Sequence, residues 1–167
     1  MRAKKRKAIK DRKVAATFRA YPSPITAKLL GLRQVIFDVA SETDGVGELH
    51  ETLRWGQPSY LTVQTGSGTS IRIDQLKSQP GMYAMYFHCQ TTLVGTFREM
   101  FRDGFAFDGN RGILFRSRDR TPLAKLRKCV ALALTYHLDK KFTRRRLSAG
   151  TRARRAATRG AASRRRF

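Results

Sequence analysis

The chain has 167 residues, of which 41% are hydrophobic, and its formal net charge is +23. This length and apolar content are enough for one packed core and too small for two, so they predict a single folded domain. Two cysteines and no run of about 18 apolar residues argue against a disulfide scaffold, a membrane-spanning helix and a secretion signal, and favour a cytoplasmic protein with reduced thiols.

The positive charge is concentrated at the two ends of the chain. Residues 1–13 hold eight Lys or Arg and one Asp, and residues 143–167 hold ten Arg and no acid. Residues 14–142 hold 17 basic and 11 acidic residues, which is only moderately basic. Because the C-terminal end has almost nothing apolar to bury, it cannot offset the entropy cost of folding. The sequence therefore predicts a disordered basic arm at 1–13, a folded domain at 14–142 and a disordered Arg-rich tail at 143–167.

The first predicted element is an amphipathic helix that follows the basic arm. In SPITAKLLGLRQVIFDVASETDG, Ser23 and Pro24 suit a helix N-cap and first turn, and Gly45, followed by Gly47 just after this segment, suits its end. Apolar residues with helical spacing occur at Leu29, Leu32, Ile36 and Val39. This spacing of three and four residues is typical of one buried helix face. A short second helix is predicted for residues 48–53.

Strands are predicted in the next part of the chain. SYLTVQT and TSIRID flank Gly66 and Gly68, which predicts a hairpin with a loop of three or four residues. GMYAMYFHCQ is almost continuously apolar and aromatic, so we expect a central strand that is buried on both faces. GILFRSR predicts one more strand.

Two further helices complete the predicted fold. LVGTFREMFRDG predicts a helix with four inward side chains: Leu93, Phe97, Met100 and Phe101. Thr121 and Pro122 open the last helix. Its apolar stripe consists of Leu123, Leu126, Val130, Leu134 and His137 or Leu138. Helices around a meander of antiparallel strands define the α+β class, with an N-terminal and a C-terminal helix packed on the sheet.

The segment ETLRWGQPSY contains the pattern E-x-x-x-W-G-x-P-x-Y. It occurs together with YPSPITAKLLGLRQVIF upstream and with YAMYFHCQTTLV, FDGNRGILF and LRKCVALALTYH downstream. These five segments in order resemble the YdhG-like domains, a family first catalogued as a domain of unknown function, over roughly residues 18–138. The resemblance implies a curved antiparallel sheet, similar in outline to frataxin. Because some members are described as iron chaperones, it also implies iron carriage without catalysis, and it carries no catalytic residues over.

The same segment has two interpretations in terms of its residues. In the structural one, Trp55 is buried at a Gly and Pro turn, and Glu51 lies on the same helix face four residues earlier. In the functional one, Glu51, Trp55 and Tyr60 form the wall of a small pocket at the mouth of the sheet. His88, in the predicted central strand, is the fourth candidate for this pocket.

An iron carrier needs carboxylate or imidazole ligands, because hard metals prefer them. The only dense acidic group in the sequence is Glu42, Asp44, Glu48 and Glu51. Glu48 and Glu51 are the candidate metal ligands, and helix capping and solvation are the alternative role for these carboxylates. His88 and Cys89 are neighbours in a strand and point to opposite faces, so they cannot chelate one ion together. The residues themselves thus predict no cofactor other than this weak iron site.

The basic ends predict non-specific binding of polyanions such as nucleic acid. The candidate residues are Lys4, Lys5, Arg6, Lys7, Arg144, Arg145, Arg146, Arg154 and Arg155. Only Phe167 is aromatic within the Arg-rich tail, so the tail does not predict base stacking. Solvation alone is the alternative role for this charge.

Three functions are therefore compatible with the sequence. The first is a non-enzymatic module that binds a small ligand or carries iron, and the second is polyanion binding through the basic ends. The third is an enzyme that joins Glu51 or His88 to another titratable group in a concave site. It ranks last, because the chain has no nucleophile elbow, P-loop or dinucleotide fingerprint.

Overall fold

The computed structural model of the protein describes residues 6–138 and residue 140. The predicted Arg-rich tail at 143–167 lies outside these residues, as does the start of the basic arm at 1–5. Within the described part, no helix combines the length and the apolar character that crossing a bilayer requires.

The fold is α+β, as predicted, with helices flanking one curved antiparallel sheet that does not close. The helices are α1 (Arg12–Ala20), α2 (Ser23–Glu42), α3 (Leu93–Met100) and α4, with described residues 123–138. The strands are β1 (His50–Arg54), β2 (Gln57–Leu61), β3 (Ile71–Gln75), β4 (Met82–Tyr86), β5 (Ala106–Asp108) and β6 (Gly112–Arg116). Their order across the sheet is β1-β2-β3-β4-β6-β5. The predicted central position of β4 is confirmed.

The core lies between one face of the sheet and the helices. In β3 and β4 the alternating side chains of Ile71, Ile73, Tyr83 and Met85 are fully buried. The side chains on α2 and α4 that are at most 2% exposed include Leu29, Leu32, Ile36, Leu126, Val130 and Leu134. Each fully buried Leu or Ile contributes about 1.5–3 kcal/mol of transfer free energy, which makes this layer the main source of stability. α2 and α4 are also joined by an ion pair between Glu42 and Arg127.

The predicted hairpin with glycines in its loop is confirmed, but its loop is longer than expected. β2 pairs with β3, and the loop covers residues 62–70. The loop contacts α4, because the Ser67 hydroxyl donates to the Leu134 carbonyl oxygen at 2.8 Å. A Cβ on Gly68 would lie 2.5 Å from the Ala133 carbonyl oxygen. The absence of a side chain at Gly68 therefore lets the loop pack closely against α4.

Several predicted elements differ from the structure. Residues 48–53, predicted as a short helix, contain the start of β1, because a tight turn after Arg54 pairs this segment with β2. α1 and the three-residue β5 were not predicted; β5 is too short to show a sequence period. Met100 and Leu123, predicted to face inward, are exposed, because each lies at a helix end beyond the covered part of its face.

Part of the predicted disordered arm is ordered against the domain. Ile9 packs on the core. Asp11 caps α1, with its carboxylate accepting from the backbone N–H groups of Lys13 and Val14. Such a cap stabilises a helix by about 1 kcal/mol. Folded structure therefore begins before residue 14, the predicted boundary, because this basic segment contains one apolar anchor and one capping acid.

Candidate functional site

The segment that contains the E-x-x-x-W-G-x-P-x-Y pattern forms a two-stranded hairpin. Arg54 pairs with Gln57, so Trp55 and Gly56 are the two turn residues. Their φ angles are +52° and +73°, which are the left-handed values of a type I′ turn. The predicted placement of Glu51 and Trp55 on one helix face is therefore wrong. Glu51 is instead the cross-strand partner of Tyr60.

Glu51 is held by a buried arginine of α2. The guanidinium group of Arg33 donates to both carboxylate oxygens of Glu51, at 2.6 and 2.9 Å. The two side chains are only 3% and 10% exposed. Arg33 also donates to the backbone carbonyl oxygens of Lys7 and Ala8, so it ties the N-terminal segment to the hairpin. This arrangement satisfies a buried charge on every side and fits a structural role.

Tyr60 belongs to the core and does not line a pocket. It is fully buried, and its ring meets that of Phe37 edge to face at a centroid distance of 5.6 Å. Within the described part of the chain, its hydroxyl has no hydrogen-bond partner of normal geometry. Burial, and next the charge of Glu51, raise the pKa of Tyr60 well above its ordinary value. The side chain is therefore neutral at physiological pH.

Trp55 is 79% exposed at the tip of the hairpin, so neither predicted role describes it. Its ring stacks on the guanidinium group of Arg72, which lies 4.9 Å from the ring centroid. The same guanidinium group lies 5.9 Å from the ring of Tyr86. We call these three residues the Trp55–Arg72–Tyr86 stack. Since Arg72 pairs with Ser59, one residue before Tyr60, the stack lies on the side of the sheet opposite to Tyr60.

A chain of hydrogen bonds fixes the central arginine of the stack. Arg72 donates to the Gln57 side-chain oxygen at 3.0 Å, and the Gln57 amide nitrogen donates to Asp74 at 3.0 Å. The Tyr21 hydroxyl donates to the other Asp74 oxygen at 2.9 Å. Burial, followed by the Asp74 charge, raises the pKa of Tyr21, which keeps this hydroxyl a donor. The fold itself therefore holds the guanidinium plane in one orientation.

His88 lies apart from the other predicted pocket residues. It follows β4, is exposed, and its Nδ1 accepts from the Gln90 backbone N–H at 3.3 Å. β2 and β3 separate β4 from β1, which at the usual strand spacing corresponds to about 14 Å. Of the four predicted pocket residues, the fold brings only Glu51 and Tyr60 together.

The predicted metal ligands have other partners. Both carboxylate oxygens of Glu51 accept from Arg33. Glu48 is exposed and lies 4.0 Å from the Lys7 ammonium group. Among residues 6–138 and 140, no group of three His, Cys, Asp or Glu side chains is arranged to hold a metal ion. Glu48, His50 and Glu51 do line one open cleft of about 560 Å³, together with Lys7 and Asp11.

Of the predicted polyanion-binding residues, the structure describes only Arg6 and Lys7. Arg6 is exposed, and Lys7 lies 4.6 Å from the centroid of the Phe37 ring. The other predicted residues, which lie outside the described part, are Lys4, Lys5, Arg144, Arg145, Arg146, Arg154 and Arg155.

Sequence reasoning missed the arginines that organise both sides of the hairpin. Arg33 interrupts the apolar run LLGLRQVIF, and a charge within a buried helix face requires a buried partner. Arg72 alternates with Ile71 and Ile73 in a strand, which places it on the face away from the core. Both signals can be seen in the sequence, but the sequence does not show which residue each arginine contacts.

Comparisons of this chain with protein-family models, with curated proteins and with solved structures find no match. The resemblance to YdhG-like domains therefore stays a prediction, supported by the segments that suggested it.

Proposed function

We propose that this protein binds nucleic acid without catalysing a reaction, and that its basic ends supply most of the attraction. The observation that carries this proposal is the distribution of charge. The ten Arg residues of 143–167 have no acid among them, and 1–13 adds eight basic residues against one acid. This charge exceeds the net charge of about 2–8 that is enough to keep a small domain soluble.

The physical basis is the release of counterions from the phosphate backbone. Each phosphate that a Lys or Arg neutralises releases condensed cations, so the logarithm of the affinity falls linearly with the logarithm of the salt concentration. The slope is about 0.9 per neutralised phosphate for a duplex and about 0.7 for a single strand. The proposal therefore predicts steep salt dependence for the full chain.

The test is fluorescence anisotropy with labelled single-stranded and duplex oligonucleotides between about 50 and 200 mM salt. The full chain is compared with a variant that has glutamine at Arg144, Arg145, Arg146, Arg154 and Arg155. We expect the variant to bind more weakly and its single-strand slope to decrease by up to about 3.5, because five cations are lost. Absence of binding by the unmodified chain at the lowest salt concentration, or a slope near zero, would contradict the proposal.

A small-ligand or iron carrier is the second candidate, and the cleft beside Glu48, His50 and Glu51 favours it. It ranks second because Arg33 already occupies both oxygens of Glu51. The test is a calorimetric titration of the full chain with ferrous iron under anaerobic conditions. Saturable binding that is lost in Glu48→Gln and kept in Glu99→Gln, an exposed acid on α3, would support this carrier. Heat of dilution alone would exclude it.

A further inference from the structure

The most unusual side chain on the described surface is Trp55. It is 79% exposed, although its indole is the largest apolar ring that the chain contains. Its backbone is left-handed, with φ at +52°, at a turn position where Asn, Asp or Gly is preferred. Neither burial nor turn preference explains a tryptophan here, and its cation–π contact with Arg72 covers only one face of the indole and leaves the other face open.

The stack offers a flat aromatic surface beside a fixed positive charge. One face of the indole lies against Arg72, and the exposure of Trp55 leaves room for a second ring on the outside. Tyr86, partly exposed on β4, flanks the same guanidinium group. Planar rings stack on such surfaces, and base–aromatic stacking is the usual way in which proteins bind unpaired bases.

The surroundings of the stack favour a polyanion. Arg54 is exposed immediately before the turn. Arg111 lies at the Tyr86 end of the stack, where it forms an ion pair with Asp108 at 3.1 Å. The carboxylate of Asp74 accepts from Tyr21 and Gln57, so it is internally satisfied. Arginine therefore dominates the charges at the Trp55 end of the stack, where Arg54 and Arg72 lie.

We propose that the Trp55–Arg72–Tyr86 stack is a base-stacking site for single-stranded nucleic acid. An unpaired base stacks on the outer face of Trp55, which Arg72 supports from the inner face, while the exposed Arg54 faces the adjoining phosphates. Bases within a duplex are already stacked on each other and do not reach such a surface, so the site distinguishes single strands from duplexes. This inference rests on the proposed function, because the basic ends supply the general attraction to phosphate.

The first measurement uses Trp55 as its own reporter, since it is the only tryptophan in the chain. The full chain is titrated with single-stranded and duplex oligonucleotides of about 16 nucleotides at one salt concentration. We expect single strands to change the tryptophan emission in a saturable way, and duplexes to bind with little change in emission.

The second measurement compares the affinities of Trp55→Asn with those of the unmodified chain. Asparagine followed by glycine is favoured in a type I′ turn, so this variant removes the ring and keeps the hairpin. We expect single-strand binding to weaken by about 5- to 100-fold, duplex binding to stay unchanged, and the salt slope to be the same. Val63→Asn is the matched control, because Val63 is an exposed apolar residue in another loop, and its binding should not change.

The outcomes separate this inference from the proposed function. If duplexes and single strands bind equally with unchanged emission, or if Trp55→Asn weakens both equally, the base-stacking site is wrong and the polyanion function stands. If neither form binds at low salt, both proposals fail. If Trp55→Asn lowers the melting temperature, Tyr86→Leu serves as the second variant. This variant must then lower the affinity for single strands and leave the affinity for duplexes unchanged; any other result overturns the inference.

Discussion

On the core side of the β1–β2 hairpin, Arg33 is buried and gives its donors to Glu51 and to two backbone carbonyl oxygens. On the opposite side, Arg72 lies between two aromatic rings at the surface and is fixed by a single side-chain hydrogen bond to Gln57. Both arginines are positioned by partners on the same hairpin. The charge of Arg33 is fully paired inside the fold, whereas Arg72 is partly exposed and lies against an aromatic ring that faces solvent. Burial and partner count thus separate a structural arginine from the one that we propose as part of a binding site.

The largest expected effect tests the structural side of this comparison. Arg33→Met leaves the Glu51 carboxylate buried without its partner, which should lower the free energy of unfolding by about 3–5 kcal/mol. The measurement is urea denaturation followed by circular dichroism. The double variant with Met at Arg33 and Leu at Glu51 should recover most of the loss, because it removes both charges. A loss below about 1 kcal/mol in the single variant would mean that the pair is solvated and not structural.

The overall architecture was predictable because the spacing of apolar residues along the chain determines which segments form helices and strands. The three- and four-residue spacing in α2 and the apolar run of β4 each identify an element and its buried face. The class and the central strand followed from these local patterns. The prediction of a short helix at 48–53 was wrong, because the conformation of this segment is set by its pairing with β2 and not by its own residues.

The candidate site was less predictable, because its contacts join residues distant in sequence. The pattern E-x-x-x-W-G-x-P-x-Y drew attention to the right hairpin, but not to the side on which each residue lies. The Trp55–Gly56 turn fixes the register of the hairpin. Because successive side chains of a strand point to opposite faces, Glu51 and Tyr60 then face the core and Arg72 faces the other side. No sequence period indicates that Arg72 meets Trp55, since this contact depends on the pairing of β2 with β3.

A smaller effect tests whether Tyr60 is purely structural. Tyr60→Phe removes a buried hydroxyl that has no partner of normal geometry in the described part, so stability at neutral pH should stay equal or rise by up to about 1 kcal/mol. The folded-state pKa of Tyr60 is raised above its unfolded value of about 10. As pH rises above about 10, Tyr60 ionises in the unfolded state but stays protonated in the folded state, so the free energy of unfolding decreases; below this pH the residue has no such effect. We therefore expect unfolding curves of Tyr60→Phe to depend less on pH between about 10 and 11.

The result that would contradict this role is a loss of stability at neutral pH. Such a loss would mean that the hydroxyl makes an interaction of its own with the neighbouring Arg33–Glu51 pair. Tyr83→Phe is a suitable control, because the Tyr83 hydroxyl lies 3.2 Å from that of Thr121 and its removal should cost about 1 kcal/mol.

The smallest expected effect tests the binding side of the comparison. Arg72→Lys keeps the positive charge but loses the planar group that lies against Trp55 and donates to Gln57. The Trp55–Arg72 contact is present in the free protein and contributes about 0.5–1 kcal/mol, so the free energy of unfolding should fall by about that amount. Single-strand affinity should fall by about two- to fivefold, because the indole is no longer held in place for an incoming base. Anisotropy and urea denaturation of the same preparation measure both quantities. A large stability loss with unchanged affinity would place Arg72 in the same structural role as Arg33, because its hydrogen-bond chain to Asp74 would then matter to the fold and not to a ligand.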